Sequence, residues 1–99
     1  MANTARLTET QAAAVFDILV ANAGARADER DQASFVAEFT SKSPTSEYRF
    51  IGGLGFGGKF RFPRLTVDCY PEDETPARRD MVEKTNAALA QFAQAEGLA

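Results

Sequence analysis

The spacing of apolar residues changes period twice along the chain. Between Glu9 and Asn22, and on to Ala23, the residues Ala12, Val15, Phe16, Leu19 and Ala23 recur three and four apart, which predicts one amphipathic helix. Thr8 with Gln11 three residues on forms a capping-box pattern, and Gly24 suits the left-handed position that closes a helix. A second helix is predicted over Glu29–Ser41, opened by Asp28 and with acids in its first turn that suit the helix dipole. Its inward stripe is Gln32 or Ala33, then Phe35, Val36 and Phe39, and Ser41-Lys42-Ser43-Pro44 breaks it.

From Glu47 the period becomes two. Tyr48 and Phe50 alternate with Glu47 and Arg49; after a glycine tract, Phe56, Gly58, Phe60 and Phe62 alternate with Gly57, Lys59 and Arg61. Beyond Pro63-Arg64, Leu65, Val67 and Cys69 alternate with Thr66, Asp68 and Tyr70. Three short antiparallel strands result, with Tyr48, Phe50, Phe60, Phe62, Leu65, Val67 and Cys69 on the face that needs a cover. Helical spacing returns after Thr75-Pro76, an N-cap followed by a first-turn proline. The expected inward side of this last helix is Ala77, Met81, Thr85, Ala88, Leu89, Phe92 and Ala95, with Gly97 at its end. The predicted order is ααβββα, a two-layer α+β domain spanning residues 1–99.

Composition narrows the chemistry. The chain has 99 residues, 44% of them hydrophobic and 25% charged, as in an ordinary globular domain. A net charge of −3 argues against wholesale coating of nucleic acid. Histidine is absent, which removes Ser-His and Cys-His nucleophile arrangements and histidine metal sites. The one cysteine, Cys69, allows no internal disulfide and no CxxC pair, so a reducing compartment is expected. No stretch reaches the roughly 18 apolar residues that span a bilayer. Met1–Thr10 has a single arginine and no apolar run, so no signal peptide is expected and the cytoplasm is the expected location.

Charge is uneven. Residues 45–71 carry a net +2, whereas residues 1–44 and 72–99 carry −2 and −3. Five of the seven glycines and six of the ten aromatic residues fall in the same middle block, which makes it the region to search for function. Gly53-Leu54-Gly55-Phe56-Gly57-Gly58 satisfies GxGxxG, and with Lys59 it also gives GxxxxGK. Both phosphate motifs must open a helix, and a P-loop also needs Ser or Thr after the lysine. Here Phe60 follows, in a strand pattern, so a flexible hairpin connection is the simpler expectation. The acids Glu72-Asp73-Glu74 stand where a helix N-terminus favours them, and Cys69 alternates inward as a small hydrophobe. No nucleophile–base pair is visible in the chain, so catalysis, a cofactor and a metal site are not expected.

The outward face carries Glu47, Arg49, Lys59, Arg61, Thr66, Asp68 and Tyr70. Arg and Tyr are enriched at binding hot spots, while cross-strand ion pairs on a solvated face are the plain alternative. A protein-binding surface is therefore expected at Arg49, Lys59, Arg61 and Tyr70, with Phe56 at the loop end. The alternative is an anion or nucleic-acid site built from Gly53, Gly55, Gly57, Gly58 and Lys59. Self-association through the sheet or an edge strand, giving a homodimer, is a further expectation, and no membrane partner is foreseen.

The segments Leu54-Gly55-Phe56-Gly57-Gly58-Lys59-Phe60 and Cys69-Tyr70-Pro71-Glu72-Asp73-Glu74-Thr75-Pro76 resemble a group of small uncharacterised proteins of bacteriophages and prophages. The likeness spans roughly residues 47–90. What it implies is origin: a small accessory phage protein that binds and modulates or blocks a host or phage protein, including a defence-system component.

Overall fold

A computed structural model describes residues 6–24, 28–41, 45–50, 57–62 and 64–98, with Phe50 described in its backbone alone. The order is α1 (Glu9–Asn22), α2 (Glu29–Ser41), β1 (Glu47–Phe50), β2 (Gly58–Arg61), β3 (Thr66–Cys69), a 3₁₀ turn (Pro71–Asp73) and α3 (Pro76–Ala95). This is the α+β arrangement that the periodicity predicts, a helical layer over one antiparallel sheet. Its radius of gyration of 12.6 Å matches the about 13 Å of a compact chain this long.

Helix ends form where local chemistry dictates. The Thr8 hydroxyl accepts the Gln11 amide at 3.1 Å, and the Gln11 side chain accepts the Thr8 amide at 3.0 Å, completing the capping box. Gly24 adopts φ +67°, the left-handed conformation that costs an L-side chain about 1 kcal/mol or more. At α3 the Thr75 hydroxyl accepts the Arg78 amide at 3.1 Å, Pro76 takes a first-turn position that needs no N–H, and Glu74 pairs with Arg79.

The strands lie in the order β1-β2-β3, both pairs antiparallel. Tyr48 stands opposite Phe60 and Phe60 opposite Val67, so one row of side chains crosses the inner face. All three are buried, with α1 contributing Ala12, Val15, Phe16 and Leu19 and α2 contributing Phe35 and Phe39. Phe39 is the hub: its ring centroid is 4.2 Å from those of Phe35 and Tyr48, 4.7 Å from Phe60 and 5.5 Å from Phe62. Aromatic pairs of this kind each contribute about 0.5–1.5 kcal/mol beyond their burial.

In α2 the open choice falls to Gln32, which is half-buried, while Ala33 is exposed. The expected inward face of α3 needs correction. In α3 the buried residues are Val82, Thr85, Leu89 and Ala93; Met81, Ala88 and Phe92 are half-buried, and Ala77 and Ala95 are exposed. Ala77 stands in the first turn, ahead of the buried Val82, and Ala95 lies about 200° around the helix from the buried Ala93. The polar Thr85 survives full burial because its hydroxyl donates to the Met81 carbonyl at 2.6 Å.

Candidate interaction surface

The ladder register decides which side chains share the outer face. Glu47, Arg61 and Thr66 form one row, and Arg49, Lys59 and Asp68 form the next. Their alternation with Tyr48, Phe60 and Val67 turns them away from the helices, and each of the six remains at least partly exposed.

Arg61 occupies the centre. Its Nε lies 3.3 Å from a Glu47 carboxylate oxygen and its Nη2 lies 3.3 Å from the Asp68 Oδ2. The guanidinium is thus held between acids from both flanking strands, so the cross-strand ion pairs of the plainer expectation are present. Asp68 also accepts the Cys69 amide through Oδ1 at 2.9 Å, which orients its carboxylate.

Arg49 faces Lys59 directly, a like-charge opposition. Its guanidinium carbon instead lies 5.9 Å from the Tyr70 ring centroid, across the sheet. A cation over an aromatic face gains about 0.5–1 kcal/mol at an exposed site. Four of the five expected binding residues, Arg49, Lys59, Arg61 and Tyr70, are therefore gathered on or beside one face; Phe56 lies outside the described residues.

For the anion alternative, Gly53 and Gly55 also lie outside the described residues. Gly58 is a β2 residue paired with Phe50 and Cys69, buried in the ladder, and Gly57 precedes it half-buried. Lys59 reaches the outer face beside Asp68, its opposite number on β3. Among the described residues no group of three or more Cys, Asp or Glu is placed to hold a metal ion. Cys69 is half-buried against the core, and its thiol donates to the Tyr70 carbonyl at 3.4 Å. Among the described residues no helix is long and apolar enough to cross a membrane.

One residue outside the expected set shapes the surface. Asn86 on α3 accepts the Val67 amide through Oδ1 at 2.8 Å and donates from Nδ2 to the Val67 carbonyl at 3.1 Å. Its amide reproduces the pair of bonds a neighbouring strand would make, and so closes the free edge of β3. The sequence shows an asparagine, weak as a helix former, between Val82 and Leu89 on the apolar side of a helix, but not the strand residue it engages.

No protein-family model matches the chain, and neither a curated protein nor a solved structure does.

Proposed function

We propose that this chain is a small non-enzymatic interaction protein whose outer sheet face rests against a protein partner. On the resemblance of its glycine and Cys-Tyr-Pro segments, the reading extends to a phage-encoded protein acting in the host cytoplasm. There it would modulate or inhibit a host or phage protein, a defence-system component among the candidates.

One observation carries the reading. All three helices contribute to the core on the inner side of the sheet, while the opposite side presents Arg61 fixed by two carboxylates and Arg49 laid over Tyr70. Side chains already held in place lose less conformational entropy when a partner arrives, and Arg and Tyr supply the larger share of many binding energies. Charge of both signs in fixed positions favours a partner with complementary polarity over a uniformly anionic polymer.

Quantitative affinity capture from host lysate tests it, using the unmodified chain, a Lys59→Ala/Tyr70→Ala variant and an α3 control, Glu83→Ala. A protein recovered equally by the first and third, and at least tenfold less by the second, supports the face as the binding surface. Equal recovery of every protein by all three variants ends the reading.

A further inference from the structure

The two edges of the sheet are finished differently. Because Val67 exchanges both backbone bonds with Asn86, its peptide groups point away from β2. Alternation along an antiparallel ladder then fixes the rest. Lys59 and Arg61 bond toward β3, Phe60 bonds toward Tyr48, and the N–H and C=O groups of Glu47 and Arg49 point outward from β1. On the β3 edge the outward Cys69 N–H is taken by the Asp68 carboxylate, so side chains cover that edge. No described residue bonds to the outward backbone groups of Glu47 and Arg49.

We propose that the β1 edge pairs antiparallel with β1 of a second copy, joining two three-stranded sheets into one of six strands. The charges select both partner and register. Outward-facing residues must meet outward-facing residues, which leaves three close alignments of β1 with itself. Setting Glu47 against Glu47 of the other copy, or Arg49 against Arg49, opposes like charges. Centring the two-fold axis on Tyr48 sets each Glu47 against the other copy's Arg49, giving four backbone bonds and two cross-strand ion pairs. Both copies then keep their helices on the same side, and both outer faces stay open. The pairing uses the β1 backbone and the Glu47 and Arg49 side chains, so Arg49 exchanges its place over Tyr70 for the other copy's Glu47, whereas Lys59 and Tyr70 stay available to a partner.

Charge reversal tests the register. Sedimentation analysis of the unmodified chain is expected to show a species of double mass that grows with concentration. Glu47→Arg and Arg49→Glu, each alone, oppose like charges at both positions and are expected to raise the dissociation constant at least tenfold. An equimolar mixture of the two variants restores both complementary pairs and is expected to dimerise again. Glu47→Arg also loses its bond to Arg61, so circular dichroism of each variant accompanies the measurement. Should that variant be unfolded, hydrogen exchange at the Arg49 amide of the unmodified chain decides: slowing with concentration supports pairing, and no change overturns it. A chain that stays monomeric to about 1 mM, single variants that dimerise as the unmodified chain does, or folded variants whose mixture stays monomeric would also overturn it.

Discussion

The two faces of the sheet are built from alternate residues of the same twelve-residue set, yet they are held by different physics. On the inner face, Tyr48, Phe60 and Val67 are between 0 and 3% exposed; Tyr48 and Phe60 rest on Phe39, and Phe60 also on Phe35. Their stabilisation comes from removing apolar surface from water and filling space, so it depends on volume and shape. On the outer face Arg61, Glu47 and Asp68 keep about half of their side chains in water, at 49, 55 and 45% exposure. Ion pairs there are screened and each contributes about 0–1 kcal/mol. Stability therefore resides on the inner side, and the outer side can change with little effect on folding.

Substitutions that break this contrast rank in order. Phe60→Ala removes a fully buried ring from the aromatic cluster and is expected to cost about 3–5 kcal/mol in denaturant-induced unfolding. Asn86→Ala strands the buried Val67 peptide groups at the sheet edge, with an expected loss of about 2–3 kcal/mol by the same measurement. Thr75→Ala removes the α3 cap and should cost about 1 kcal/mol. Arg61→Ala breaks two half-exposed ion pairs and should cost less than about 1 kcal/mol, the loss shrinking further in high salt. A cost for Arg61→Ala as large as that for Phe60→Ala would erase the distinction between the faces.

Tyr48 sharpens the comparison through pH. Burial, reinforced by the nearby Glu38 carboxylate and opposed by Arg6, raises its phenol above the ordinary value of 10.0. The folded state thus favours the protonated ring. Its contribution to stability is complete below pH 10 and is lost as the pH rises through the higher folded value. Unfolding free energy measured at alkaline pH should fall more steeply for the unmodified chain than for Tyr48→Phe.

The elements whose periodicity is strong were legible in the chain. The α1 stripe of Ala12, Val15, Phe16, Leu19 and Ala23 is buried throughout, because regular apolar spacing leaves a helix one stable orientation. The strands were legible for the same reason, since a one-residue slip would expose Phe60 and bury Arg61. The inward side of α3 was harder: with alanine on several sides of the helix, pattern alone does not select Val82 and Ala93 over Ala77 and Ala95. On the outer face, the residues Arg49, Lys59, Arg61 and Tyr70 were identifiable by alternation, whereas Arg49 leaning over Tyr70 depends on which residues stand opposite across strands. Asn86 shows the remaining gap. Its role depends on a contact nineteen residues away in sequence, which no local window contains.

The Asn86 amide also acts as an index pin for α3. Thr66 and Asp68 turn their main-chain groups toward β2, so the next places where the amide could engage lie two residues up or down β3. Reaching either would require a slide of about 6–7 Å. Small creep of the helix along the strand is thereby penalised at its first step, and α3 is expected to move with β3 as a single rigid piece.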